Sequence, residues 1–559
     1  VKYLPLLACV ALIVSVVAHA ADNKPGHAAI ASAHPLATQA GMEVLDEGGN
    51  AFDAAVAVAS TLSVVEPQSS GIGGGGLFLL RRMSDHKETM VDARETAPIG
   101  VDAKDYQKVD GTPDRDHSLN GPLSSAIPGE PAALVWLAKN YGKLPLSKSL
   151  APAIRIARDG FKPDARFIEE LAHVAPRMQR YPASLALYLD NGQPPKNGWT
   201  FRSPDLAKVL QKIADEGNDG FYKGEVAKTL VDGVQAAGGR WSMDDLAQYT
   251  VKEREPIAFS YRGWHLVTAP PPSSGGIALA EMFNMLSGFD LARMDRVHRV
   301  HTIVETMRRA FRDRAEYLGD PDYVKMPVAD LTSMEHAKKL AASIESDKAT
   351  PSSSLPGYMA PNESLHTSHF SIIDAEGNLV SATQTVNTTF GSKFVVAGTG
   401  FVLNNEMDDF ALVAGKPNAY GLLGNDNNAP KPHHRPLSSM TPTFIDNDEK
   451  TAVIGTPGGS YIITMVLEGI LAYIDGELPE KVVANRRYHH QYMPDEITAE
   501  KGAFTDAEID ALQKMGYKLD VSSDVWSWGF MNMVSWNRKT GEMHAGSDPR
   551  RPGASGKVK

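Results

Sequence analysis

At position 367 the chain changes its periodicity. The stretch 341–366 is rich in Ser, Pro, Ala and Gly, including Pro351-Ser-Ser-Ser-Leu-Pro-Gly357, and predicts an accessible linker with a boundary nearby. Directly after it come Thr367-Ser-His-Phe-Ser-Ile-Ile373, turn residues Asp374-Ala-Glu-Gly-Asn378, and Leu379-Val-Ser-Ala-Thr-Gln-Thr385. These predict a β-hairpin whose first strand starts at Thr367. A period of two sends Thr367, His369 and Ser371 to one face and Ser368, Phe370 and Ile372 to the other. The fold must therefore present a hydroxyl at a strand end, beside a segment that can be cut.

The remaining chain bounds what that hydroxyl can serve. With 559 residues, 42% hydrophobic and 22% charged, there is material for a large core. The formal charge of −11 provides no basic footprint, so nucleic acid is not an expected partner. Lys2, the apolar run Leu4 to Val17 and Ala18-His19-Ala20 predict a signal peptide over 1–20 and a secreted, periplasmic protein. No other stretch approaches 18 apolar residues, so stable membrane insertion is not expected. Leu6-Leu7-Ala8-Cys9 resembles a lipoprotein cleavage site, but a cut there would leave most of the apolar run on the wrong side. Cys9 is the single cysteine and lies in the excluded segment, which removes thiol catalysis, disulfides and cysteine metal sites from the mature chain.

Two helical regions stand out. Between 36 and 65, Gly48-Gly49 ends one helix and Asn50 caps the next, Ala51 to Val65, which Glu66-Pro67 stops. Val297, Val300, Val304, Met307 and Phe311 recur at three- and four-residue steps, predicting an amphipathic helix over 296–317 with its Arg, Asp and Glu outward. Three motifs are decoys. Gly71-Ile-Gly-Gly-Gly-Gly76 has a dinucleotide-style spacing but follows a helix and leads into a strand, the reverse of the required order. Ser84-Asp-His-Lys87 has serine/lysine acylase spacing without its companion motifs. The pairs His433-His434 and His489-His490 do not form metal-type spacing, and no metal or cofactor is implied.

A hydroxyl nucleophile needs a base, and cutting the preceding peptide bond converts an inert amide nitrogen into an α-amine with a reference pKa of about 7.7–8.0. Thr367 is positioned for that chemistry, with His366 on the other side of the bond. Spacing alone does not single it out, since Thr at a strand start is ordinary.

The motifs do. His366-Thr-Ser-His-Phe-Ser371, Asn387-Thr-Thr-Phe-Gly391, Leu403-Asn-Asn-Glu-Met-Asp-Asp-Phe410, Arg435-Pro-Leu-Ser-Ser-Met440 and Gly455-Thr-Pro-Gly-Gly459 resemble, in order and spacing, the small-subunit signature of the gamma-glutamyltransferase family. Glu66 to Gly76, Arg94-Glu-Thr-Ala-Pro98, Pro270 to Gly276, Leu318 to Asp322 and Gly546 to Arg550 extend the likeness over the mature chain.

This resemblance implies an α+β, N-terminal-nucleophile hydrolase fold, an αββα sandwich of two sheets between helices. Self-cleavage would yield a large subunit, 21–366, and a small catalytic subunit, 367–559, which pair as one heterodimeric unit. By the same resemblance Thr367 attacks a gamma-glutamyl amide such as that of glutathione, Thr385 hydrogen-bonds it, and the Gly458 and Gly459 amides receive the oxyanion. Arg94, with Ser438 and Ser439, suits the substrate's α-carboxylate; Asp409, Glu406 and Asn387 suit its ammonium. Tyr420, in Pro417-Asn-Ala-Tyr-Gly421, corresponds to a lid residue. Water, amino acids or dipeptides would accept the acyl group. The rival activities are a glutaryl or cephalosporin acylase on the same scaffold and a non-catalytic binding relative. Ser368 stands where many members have a second Thr, and Tyr461 where Arg is common.

Overall fold

The predicted hairpin is the centre of the architecture. In a computed structural model that describes residues 24–355, 367–522, 528–551 and 555–559, sixteen strands are distributed over three sheets. They are β1 (Ala29–Ser32), β2 (Gly75–Arg82), β3 (Lys87–Ala93), β4 (Lys252–Arg254), β5 (Ile257–Tyr261), β6 (Trp264–Thr268), β7 (Ser368–Ile373) and β8 (Leu379–Thr385). The remainder are β9 (Thr443–Asp446), β10 (Lys450–Gly455), β11 (Tyr488–His489), β12 (Ile497–Glu500), β13 (Leu519–Ser522), β14 (Asn532–Asn537), β15 (Met543–Ser547) and β16 (Ser555–Val558).

The first sheet runs β16-β1-β7-β8-β2-β3-β4 and is antiparallel throughout. The second runs β15-β14-β10-β9-β6-β5, and a small third sheet holds β11-β12-β13. In the first sheet β7 and β8 lie between β1 and β2, so a cut after 366 leaves two pieces that still share one hydrogen-bonded sheet.

The alternating faces of β7 and β8 have different jobs. Phe370, Ile372, Val380 and Ala382 enter a core with α1 (Pro35–Asp46) and α2 (Ala51–Val65). Asn50 caps α2 through a capping box with Asp53, as the sequence predicts. The turn after β7 is fastened to the same helix, because Asp374 Oδ2 accepts the Ala51 N–H at 2.8 Å. The opposite face meets the second sheet through hydroxyls: Ser371 donates to the Asn532 carbonyl and Ser381 to the Ile454 carbonyl, both at 3.1 Å. His369 packs there so closely that a Cβ on Gly455 would lie 2.2 Å from its ring. The polar alternation of this hairpin thus marks a hydrogen-bonded interior between two sheets and no solvent face. Beyond the second sheet lies another core, including Leu279, Met307, Ile445, Ile454 and Val466. Its helices are α3 (Gly275–Leu286), α4 (Arg296–Tyr317), α5 (Met334–Ala341) and α6 (Tyr461–Ile474). Helix, sheet, sheet, helix is the expected αββα order.

Two expectations are corrected, for one physical reason. Helix α4 has the predicted limits, but Glu305, Arg308, Arg309, Asp313 and Arg314 are buried and do not face outward. Glu305, Arg308 and Arg309 satisfy one another and the following segment, Asp313 pairs with Arg312 and His336, and Arg314 bonds Ser274. Arg309 bonds Glu305, Ser343 and Thr350, while Glu305 Oε1 accepts the Thr350 N–H at 3.1 Å. Consequently 342–355, read from composition as linker, is lashed to α4 and also donates from Ala349 N–H to the Met515 carbonyl. The signal-peptide residues 1–20 and His366 lie outside the described residues. Among the described residues no helix is long and apolar enough to cross a membrane.

Candidate active site

The hairpin register brings two hydroxyls together. Ser368 pairs with Gln384, so Thr367 and Thr385 are the next positions along the ladder, and their Oγ1 atoms lie 3.2 Å apart. The regular strand starts at Ser368, one residue later than the sequence predicts, leaving Thr367 at its mouth and 7% exposed. Ser368 points away and donates to Glu66 Oε2 at 2.8 Å, so its hydroxyl holds the strand end.

After β8 the chain turns at Asn387, whose φ of 76° is a left-handed value that Asn tolerates better than most residues. Its N–H donates to Thr385 Oγ1 at 2.8 Å, and its side-chain amide donates to the Asn405 carbonyl at 2.9 Å. These bonds leave Asn387 Oδ1 buried with no hydrogen-bond partner among the described residues. Glu406 Oε1 and Ser439 Oγ share that condition, and all three residues line the same cavity as Thr367 and Thr385. Unsatisfied buried polar atoms are costly, and three facing one cavity mark where a polar ligand completes the structure.

Opposite the hydroxyls, β10 leads through Thr456-Pro-Gly-Gly-Ser460 into α6. Gly458 and Gly459 have φ of 138° and 52°, conformations other residues rarely adopt, and Gly459 lines the cavity. The loop therefore brings Gly459 to the cavity at the positive end of a helix. Tyr461 opens the helix with its ring against His489, centroids 3.9 Å apart.

Charge is concentrated on the third wall. Arg94 is 1% exposed and bonds Glu406 Oε2 at 2.5 Å, Asp409 Oδ2, and Glu95 Oε2 at 3.4 Å. Burial disfavours its charge, but Glu406, Asp409 and Glu95 outweigh that and hold the guanidinium firmly cationic. Arg94 and Arg314, which lines the same cavity and attracts Asp409, are two cations against three buried carboxyls. Burial pushes Glu95 up to about 7 and Glu406 well above the usual carboxylate range, with Arg94 pulling both the other way. The wall thus has an acidic surplus that a further cation would relieve.

Tyr420 lines the cavity: its hydroxyl donates to the Asn387 carbonyl at 2.8 Å, and its own carbonyl accepts from Gln491. The space left beside it for water-sized occupants is about 20 Å³. Ser438 Oγ accepts the Met440 N–H at 3.1 Å, which orients that serine and leaves its proton for donation.

This geometry brings together Thr367, Thr385, Asn387, Glu406, Asp409, Tyr420, Ser438, Ser439, Gly459 and Arg94. Gly458 stands beside the lining. One charged lining residue was missed, Arg314, whose Nε donates to Ser274 Oγ at 3.0 Å, which in turn donates to the Ser438 carbonyl at 2.7 Å. Its place on an apparently amphipathic helix hid it. The walls Leu422, Leu437, Met440 and Ile462 carry no polar signal either.

The family model for gamma-glutamyltranspeptidase matches residues 37–558. The chain belongs to the gamma-glutamyltranspeptidase family. Among its relatives, the glutathione hydrolase proenzyme of Escherichia coli (strain K12) is 41% identical over 527 residues, covering 93% of this chain and 90% of that one. A cephalosporin acylase structure from Bacillus halodurans superposes with a TM-score of 0.83 at 28% identity, covering 95% of each chain. The Helicobacter pylori gamma-glutamyltranspeptidase structure gives 0.56 at 37% identity, covering 58% of this chain and 93% of that one. The family's N-terminal-nucleophile fold is the one described above, and the chain is an enzyme of this class.

Proposed function

We propose that the chain is a secreted, self-processing gamma-glutamyltransferase that cleaves the gamma-glutamyl amide of glutathione and related compounds. The observation that carries this reading is the pairing of the Thr367 and Thr385 hydroxyls in one cavity with an Arg94 wall carrying surplus acid. Cleavage of the His366–Thr367 bond frees the Thr367 amine, which takes the proton of its own hydroxyl as Oγ1 attacks the gamma-carbonyl. The Gly458 and Gly459 amides receive the oxyanion. Collapse expels the amine, which leaves with that proton, and a gamma-glutamyl ester remains on Thr367. Water or the amine of an amino acid or dipeptide then attacks the ester and regenerates Thr367.

The zwitterionic glutamyl head fits the charged wall by exchange. Its carboxylate replaces Glu406 and Asp409 on Arg94, with Ser438 and Ser439 donating. Its ammonium takes the released carboxylates and Asn387 Oδ1. Tyr420 must release the Asn387 carbonyl for entry, which makes it a lid. A glutaryl group would bring a carboxylate and no ammonium to an acidic wall, so the acylase reading is weaker. Secretion to the periplasm belongs to the same reading and rests on Lys2, the apolar run that follows and Ala18-His19-Ala20.

Turnover of glutathione, measured with and without a dipeptide acceptor, tests the proposal: product formation that rises with acceptor is expected, and an inert, fully processed protein would refute it. Two variants test the charges. Arg94→Lys should keep subunit cleavage but lower kcat/KM about ten- to a hundredfold, because an ammonium cannot reproduce the planar fork. Arg314→Met should lower it about tenfold through lost charge and a loosened Ser274–Ser438 contact. Near-normal turnover in either variant removes that residue from the substrate's partners.

A further inference from the structure

Away from the active cavity, α3, α4 and α5 converge on a group of side chains that the reaction does not use. Glu281, on α3, is fully buried, and neither carboxylate oxygen has a hydrogen-bond partner among the described residues. Asp313, on α4, is also fully buried; its Oδ1 accepts from Arg312 and its Oδ2 lies 2.6 Å from His336 Nε2. The His336 side chain, on α5, is 17% exposed and gives the cluster an edge toward solvent. One ligand atom from each of Glu281, Asp313 and His336 lies within 4.8 Å of the other two. A buried carboxyl with two unpartnered oxygens, aimed at a second carboxylate and an imidazole, has no internal explanation in hydrogen bonding.

We propose that Glu281, Asp313 and His336 form a binding site for one divalent transition-metal ion, which pins α3, α4 and α5 together. The donor set decides the class: calcium and magnesium take oxygen ligands, whereas zinc and manganese accept an imidazole with two carboxylates. Metal–ligand distances are about 2.0–2.2 Å, so ligand atoms around one ion lie up to roughly 4 Å apart. The cluster closes onto an ion with side-chain shifts below about 1 Å. Burial, with Asp313 nearby, pushes the Glu281 carboxyl well above the usual carboxylate range. Whatever protons the three ligands carry leave to solvent as the ion binds. The three ligands are 281, 313 and 336 in sequence and form no motif, which is why spacing does not reveal them. The role is structural: Arg314, next to Asp313, is the α4 residue that lines the active cavity.

The test is calorimetric titration of the processed enzyme, stripped with EDTA, with Zn²⁺, Mn²⁺ and Ca²⁺ separately. About one equivalent of Zn²⁺ or Mn²⁺ should bind saturably, and thermal scans should show Tm rising with ion concentration. Glu281→Gln and His336→Gln should each weaken binding at least about tenfold and abolish the Tm response, with circular dichroism verifying the fold. Should Glu281→Gln not fold, His336→Gln, at the exposed edge, decides alone. The proposal is overturned by absence of binding, by Ca²⁺ binding as well as Zn²⁺, or by undiminished binding in the folded variants. That last result would move the ion to a surface group such as His298 with Asp295 and Asp347.

Discussion

Thr367→Ala leaves the chain in one piece and lowers gamma-glutamyl turnover about 10⁴-fold or more. Both effects follow from one atom. The Oγ1 that lies 3.2 Å from Thr385 Oγ1 is the proposed nucleophile for cutting the preceding bond and, afterwards, for attacking substrate. Removing a nucleophile in systems of this kind costs about as much as removing the whole catalytic group, because the remaining members have nothing to activate. The substitution is sterically mild, deleting two heavy atoms at a strand mouth. Circular dichroism and thermal melting should therefore stay near those of the unprocessed parent. A denaturing gel gives the first answer and an anilide assay the second. Processing at the normal rate in Thr367→Ala would remove Thr367 from the self-cleavage step.

Asp409→Asn should have opposite signs for two acyl groups that differ in a single amino substituent. Gamma-glutamyl substrates should lose an order of magnitude or more in kcat/KM, because the ammonium leaves water for a weaker partner. Glutaryl substrates should be unchanged or faster. The structure supplies the reason: Asp409 also occupies Arg94, so its removal both lowers the acid surplus and frees a guanidinium for a carboxylate. Paired initial rates with gamma-glutamyl and glutaryl anilides, on protein first shown to be fully cleaved, measure the difference. A parallel fall for both would mean that Asp409 supports the fold or the nucleophile and not the ammonium.

How much of this could be seen in the sequence depended on which interaction fixed each residue. The hairpin was legible because a period of two survives whether the partner is a helix layer or another sheet; what that partner was did not show, so Ser371 and Ser381 gave no sign of bonding across a sheet interface. Helix α2 was legible from its Asn50 cap. Helix α4 was legible in extent, but its charges were misassigned, since hydropathy treats a buried Glu305–Arg309 pair like a solvated one. The same blindness concealed Arg314 and the segment that Arg309 anchors. At the site, motif likeness located Arg94, Glu406 and Asp409, but their pairing with one another across 312 and 315 residues of sequence is a three-dimensional fact. Gly458 and Gly459 were legible as a motif, and their positive φ values supply the reason that glycine is required there.

The central claim is that Thr367 becomes a free N-terminal residue and carries the acyl group. The direct measurement is intact-mass analysis of enzyme quenched in acid during turnover of a slow gamma-glutamyl anilide, followed by fragment mapping. The expected species is a chain spanning 367–559 that begins with Thr367 and carries one gamma-glutamyl group on that residue. Full activity from a chain in which Thr367 is still joined to His366, or an acyl group mapped to any other residue, would contradict the account.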